Sequence, residues 1–146
     1  MTIYFDMDGT IANFFGVKNW KEMIENGDTT PYEIAKPLFD RNEMDKVMNE
    51  LKANGYKIGI ITYVAYDSTK EFANRIRKAK REWLKKNFPY ATEIHMVDHK
   101  TPKHWTAKDK GILVDDCKAN RMAWTKGETI NAYRADIVKE LKALVA

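Results

Sequence analysis

Apolar residues along this 146-residue chain fall into two alternating periods. Short, nearly continuous apolar runs occupy 2–5, 56–62, 94–97 and 111–116, with a weaker one over 129–133. Their length and their β-branched and aromatic content predict buried strands. Between them, apolar positions recur at helical spacing: Met44, Val47, Met48 and Leu51 within 41–54, and Phe72, Ile76, Trp83 and Leu84 in a long segment from 68. Ile137, Leu141, Leu144 and Val145 do the same within 136–146. Local signals mark the ends of these segments. Gly55 stops the 41–54 helix, 63–66 is a loop, and Ser68-x-x-Glu71 is a capping-box pattern that opens the long helix, with Pro89 just beyond its end. Thr101-Pro102-Lys103 reads as a cap, a first-turn proline and an early lysine of a short helix to about Lys108. Residues 118–125 are helical, with Gly127 as the stop. Strands that alternate with helices predict an α/β fold. It is a three-layer Rossmann-like parallel sheet of about five strands with right-handed crossovers, in one domain over 1–146.

One segment, 14–40, breaks the alternation. It carries Phe14, Phe15, Val17, Trp20, Met23 and Ile24, then Asn26-Gly27-Asp28 as a helix stop, Thr30-Pro31 as cap and first position of a second helix, and Pro37 as an interruption. A strand-to-helix loop needs only a few residues. Two short helices folded over the mouth of a site, a small helical cap inserted after the first strand, account for the extra length. Phe14, Phe15 and Trp20 then either face a substrate ring or glue the cap to the core; the buried area that aromatic rings supply favours packing.

Composition narrows the class without naming it. The chain is 44% hydrophobic, ordinary for a globular domain with one sizeable core, and 32% charged, somewhat above the usual share. No apolar run approaches the roughly 20 residues that span a bilayer, and no signal-peptide pattern opens the chain, so a cytoplasmic protein with no membrane partner is expected. One cysteine, Cys117, excludes an internal disulfide and suits a reducing compartment. The net charge of +4 is compatible with an anionic partner. Much of it, however, reads as one solvated helix face made by Arg75, Arg77, Lys78, Lys80, Arg81, Lys85 and Lys86.

Chemistry concentrates at the strand ends. The first run closes on Asp6-Met7-Asp8-Gly9-Thr10, the second on Thr62, the fourth on Asp115-Asp116, and a lysine precedes the fourth. Ligands of open α/β sheets bind beyond the carboxyl ends of the strands, so these groups converge although they are far apart in sequence. Clustered carboxylates repel unless a cation or proton compensates, and carboxylate oxygens are the ligands that Mg²⁺ prefers. A hydroxyl and an ammonium at element ends suit a phosphate. Lys100, Lys103, Lys108 and Lys110 all compete for the last role; Lys103 is favoured because a helix start at the sheet edge aims inward, and Lys100 is second.

The motif Asp6-Met7-Asp8-Gly9-Thr10 resembles motif I of the haloacid dehalogenase-like (HAD) superfamily of phosphohydrolases. Thr62 resembles its motif II, Lys103 its motif III, and Ile112-Leu113-Val114-Asp115-Asp116 its acidic motif IV, in the same order over the whole chain. The resemblance implies a phosphatase in which Asp6 is the nucleophile of an aspartyl-phosphate intermediate. Asp8 is then the general acid that becomes the base for water, its backbone carbonyl also meeting the metal. By the same resemblance Mg²⁺ is held among Asp6, Asp8, Asp115 and Asp116. Thr62, Lys103 and backbone N–H groups, those of Met7 and Tyr63 among them, hold the phosphoryl oxygens. A short aromatic cap beside motif I resembles the 5′(3′)-deoxyribonucleotidase branch, which implies a nucleoside monophosphate as the small phosphorylated substrate. A compact cap also leaves room for a phosphorylated nucleic-acid end, the less favoured alternative.

Other classes fit less well. A receiver domain shares acids, a Thr and a Lys around Mg²⁺, but its phosphoacceptor stands alone on a middle strand, where this chain has Thr62. A non-catalytic phosphate- or partner-binding module on the same fold stays open, because fold does not fix function. His95, His99 and His104 lack the tight ligand pairing of a zinc site. Cys117 follows two acids, which disfavour its thiolate, so it is read as a packing residue. Oligomeric state leaves no mark on the sequence.

Overall fold

The computed structural model describes residues 1–65 and 68–146; Tyr66, the last residue of the expected 63–66 loop, lies outside them. Five strands, β1 (Thr2–Phe5), β2 (Lys57–Tyr63), β3 (Glu93–Val97), β4 (Gly111–Asp115) and β5 (Thr129–Asn131), form one sheet in the order β3-β2-β1-β4-β5. Every pairing is parallel. The helices are α1 (Trp20–Glu25), α2 (Thr30–Ile34), α3 (Arg41–Ala53), α4 (Lys70–Asn87), α5 (Lys103–Thr106), α6 (Lys118–Ala123) and α7 (Ile137–Ala143). A 3₁₀ turn at Phe14–Gly16 follows β1.

Strand β1 is central and wholly buried, which explains why its sequence reads as a continuous apolar run rather than an alternating one. On one face, Ile3 and Phe5 pack with Met44, Met48 and Leu51 of α3, Trp83 and Leu84 of α4, and Ile137 and Leu141 of α7. On the other, Tyr4 packs with Ile61, Leu113, Ala107 and Trp124, a thinner layer roofed by α5 and α6. The register sets Phe5 level with Ile60 of β2 and Val114 of β4, so the residues that follow emerge together at one edge of the sheet. The N–H of Asp6 donates to the Val114 carbonyl at 3.0 Å and fixes that junction.

The 14–40 segment is tied at its base by an antiparallel bridge between Ala12 and Pro37, flanked by Asn13 N–H to Lys36 O at 2.8 Å and Leu38 N–H to Ile11 O at 2.9 Å. Its helices lean on α4: Phe14 and Tyr32 join Val64, Phe72, Ala73, Ile76 and Ala79 in a second apolar cluster. The Phe14 and Tyr32 rings stack with centroids 4.7 Å apart.

Several local expectations shift by a residue or two. Thr30 is the first residue of α2, not its cap, because the Asp28 carboxylate accepts both its N–H (2.9 Å) and its hydroxyl (2.6 Å). Helix α4 is capped by Thr69, whose hydroxyl oxygen accepts the Phe72 N–H at 3.1 Å, rather than by Ser68. Pro102 stands at the cap position of α5, and that helix ends at Thr106, two residues short of Lys108. Helix α6 stops at Ala123, where Trp124 turns inward to donate its indole N–H to the Gly111 carbonyl at 3.1 Å. Cys117 is exposed, so it does not pack; its backbone N–H donates to Asp115 instead. Among the described residues no helix is long and apolar enough to cross a membrane.

Candidate active site

The carboxyl edge of β2, β1 and β4 carries two buried lysines, each gripping a different set of expected site residues. Lys103, at the start of α5, is 3% exposed, and its ammonium donates to Asp6 Oδ1 and Asp115 Oδ2, both at 2.7 Å. Alone, burial would lower its pKa; the two carboxylates more than offset that and hold it above the usual lysine range. Lys100, Lys108 and Lys110 are exposed. Asp115, fully buried, also accepts the Cys117 N–H at 2.9 Å and the Asn120 amide at 3.1 Å. Burial and the Asp6 charge raise its pKa, against the opposing pull of Lys103.

The second lysine corrects the reading of the α4 cations as one solvated face. Arg75, Lys78, Arg81, Lys85 and Lys86 are exposed and Arg77 half-buried, but Lys80 is 1% exposed and points to the site. Its ammonium donates to Asp8 Oδ2 at 3.0 Å, Thr62 Oγ1 at 2.8 Å and the Tyr63 carbonyl at 2.7 Å. The signal was positional. Lys80 lies four residues after Ile76 and four before Leu84, on the stripe that α4 buries. Burial raises the Asp8 pKa, and Lys80 works against it. Tyr63 joins the two lysine sets, since its ring lies 5.0 Å from the Lys103 ammonium while its hydroxyl donates to the Thr101 carbonyl at 3.0 Å. Strand β2 runs one residue past Thr62 to include it.

Thr10 is the other residue not singled out on its own. It is buried, with its hydroxyl 3.3 Å from Asp6 Oδ2 and 3.1 Å from Asp116 Oδ1, while its oxygen accepts the Asp116 N–H at 3.1 Å. It thereby ties the loop after β1 to the loop after β4. A hydroxyl has one proton, so it can serve one carboxylate at a time. Burial first, then the charges of Asp6 and Asp115, push Asp116 up to about 7. Met7 buries its side chain in the core and turns only its backbone toward the loop, its carbonyl accepting three N–H groups, from Thr10, Ile11 and Ala12.

Gly9 makes this loop possible. It has φ +82°, and a Cβ there would stand 2.4 Å from Asp116 Oδ2 and 3.1 Å from the Phe15 ring. Both backbone strain and the clash oppose a side chain. Gly9→Ala is therefore expected to cost at least about 1–2 kcal/mol of stability, read as a lower denaturant midpoint. An unchanged midpoint would mean that the loop is free to open.

Of the three aromatics, Phe14 is buried and Trp20 half-buried beside it, so both serve packing. Phe15 is 53% exposed, next to Gly9, and edge-on to Trp20 with centroids 5.2 Å apart. It stands at the mouth of the site.

Asp6, Asp115 and Asp116 each offer an oxygen within 4.8 Å of the others, and no histidine belongs to this group among the described residues. Counting Asp8, four carboxylates against two ammonium groups leave a formal charge of −2. Hard oxygen donors carrying that excess fit one divalent cation such as Mg²⁺.

No family model matches the sequence, and no curated protein matches it. Among solved structures, the crystal structure of D,D-heptose 1,7-bisphosphate phosphatase from Burkholderia thailandensis is similar over 97% of this chain and 98% of that one. The TM-score is 0.52 and the sequence identity 10%. At that identity the likeness speaks for architecture: the two chains share a Rossmann-like α/β fold built, in this protein, on a five-stranded parallel sheet.

Proposed function

We propose that this chain is a Mg²⁺-dependent phosphomonoester hydrolase that works through an aspartyl-phosphate on Asp6, with a nucleoside monophosphate as its substrate. The observation that carries the reading is Lys103 locked between Asp6 and Asp115 at the edge of β1 and β4. The structural likeness to a sugar-phosphate phosphatase supports ester hydrolysis in general.

An ammonium has three N–H donors, and Lys103 spends two on Asp6 and Asp115, keeping one for a phosphoryl oxygen. Asp6, oriented by that bond and by Thr10, presents a carboxylate oxygen to phosphorus; as the new bond forms, the ester P–O bond breaks. Asp8 gives its proton to the departing oxygen. Its carboxylate later takes a proton from the water that hydrolyses the intermediate, which restores both acids. A carboxyl raised by burial suits the first of these tasks at neutral pH. Thr62, Lys103 and the backbone N–H groups of Met7 and Tyr63 hold the phosphoryl oxygens. Mg²⁺ would be held by Asp6, Asp115 and Asp116 with the Asp8 carbonyl, and when bound it offsets charge that otherwise repels a phosphate dianion.

Residues 14–40 act as a small cap in this reading, with Phe15 as the ring against which a base rests. The single cysteine suits a cytoplasmic setting. The test is phosphate release with Mg²⁺ from nucleoside monophosphates, sugar phosphates and phosphorylated oligonucleotides. Nucleotides are expected to be preferred, and EDTA to stop the reaction. Preference for sugar phosphates or oligonucleotide ends would overturn the substrate; no release from any would overturn the activity. Base–aromatic stacking is worth about 1–3 kcal/mol, so Phe15→Ala should cut the preference for a nucleotide over ribose 5-phosphate roughly tenfold. An unchanged preference would make Phe15 a bystander.

A further inference from the structure

The geometry points to Lys80 as a positioning residue that holds the acid–base group Asp8 and directs the hydroxyl of Thr62, without touching the substrate itself. This rests on the phosphatase reading above and adds a residue that lies outside every motif used to reach it.

The argument is one of donor counting. Lys80 has three N–H groups and three acceptors, Asp8 Oδ2, Thr62 Oγ1 and the Tyr63 carbonyl, at 3.0, 2.8 and 2.7 Å. None is left for a phosphoryl oxygen, in contrast to Lys103. An ammonium only donates, so Thr62 must accept from Lys80, and its own proton is directed elsewhere, free for a phosphoryl oxygen. Asp8 has one oxygen pinned and the other available. At 1% exposure the lysine side chain has no freedom to release these partners cheaply. Its ammonium also lies 5.1 Å from the centre of the Tyr32 ring, which ties the pair to α2 of the inserted segment.

The role separates from plain structural support through the leaving group. A nucleoside leaves as an alkoxide and needs the Asp8 proton; 4-nitrophenolate leaves without one. Loss of Thr62 alignment slows formation of the aspartyl-phosphate from both substrates, but loss of Asp8 as the acid slows that step only for the first. The later attack of water, common to both, does not enter kcat/KM. The readout is therefore the ratio of kcat/KM for a nucleoside monophosphate to that for 4-nitrophenyl phosphate. In Lys80→Met this ratio is expected to fall roughly 100-fold, the lower end of what general acid catalysis contributes. A ratio within about threefold of wild type would overturn the proposal.

Lys80→Met leaves the half-buried Asp8 without its partner and can fail to fold. Asp8→Asn,Lys80→Met removes both charges, and it is compared with Asp8→Asn alone. If Lys80 acts through Asp8, the ratio is the same in these two variants within about threefold, the scatter expected for non-interacting changes. A further drop in the double variant would show Lys80 acting on the substrate and overturn the assignment. Wild-type protein that hydrolyses neither ester would instead overturn the phosphatase reading, and this one with it.

Discussion

Asp6→Asn is expected to lower kcat by roughly 10⁴-fold or more, the scale seen when a nucleophile is removed, while the protein stays folded. An amide oxygen is a poor nucleophile toward phosphorus, so the covalent step is lost. The same oxygen still accepts a hydrogen bond, so Lys103, 2.7 Å from Asp6 Oδ1, keeps a partner there. The change also removes one of the charges that push Asp115 and Asp116 upward, which eases repulsion among the remaining acids. Melting temperature should therefore move little while turnover collapses. Substrate that still binds with an ordinary KM but does not react would place the defect in chemistry. Near-normal turnover would leave Asp8 or a metal-held water as the attacking group and would dismiss the covalent route.

Lys103→Met is expected to lose stability as well as turnover, because the same ammonium holds two buried acids and keeps one N–H for the phosphoryl group. Methionine matches the length of the lysine stem but leaves Asp6 and Asp115 facing each other without the ammonium between them. The lysine side chain is 2% exposed and Asp115 fully buried, so solvent does little to screen the loss. Breaking a buried pair from one side typically costs about 3–5 kcal/mol, which in a chain of this size means a fall of roughly 10 °C or more in Tm. A change at an exposed neighbour such as Lys100 should cost almost nothing. If Lys103→Met melted like wild type, the ion pairs to Asp6 and Asp115 would not be holding the site together.

Much of this architecture is written in local pattern. Strand β1 has four buried residues and reads as apolar throughout; the acids at its tip and at the tip of β4 stand where a parallel sheet delivers them. Helix α3 buries the four residues its spacing assigns, Met44, Val47, Met48 and Leu51. What pattern hides is the direction of long polar side chains. Lys80 sits among seven other cations of α4, and a count of charge treats all eight alike. Its backbone position on the buried stripe, and a stem long enough to reach Asp8 from there, distinguish it. Thr10 is similar: a turn residue by composition, it becomes the link between Asp6 and Asp116 only when β1 and β4 pair. The caps of α2 and α4 each move by one residue, because the Asp28 carboxylate accepts the Thr30 N–H and the Thr69 hydroxyl the Phe72 N–H, a choice among neighbouring polar residues that sequence alone leaves open.

The most direct test is to mix the protein with Mg²⁺ and a nucleoside monophosphate, quench in acid within a turnover, and map phosphoryl groups by peptide mass spectrometry. A hydroxylamine-labile phosphoryl group on the peptide that bears Asp6, absent from Asp6→Asn, is the expected result. Rapid phosphate release with no adduct, or an adduct on another residue, would contradict the account.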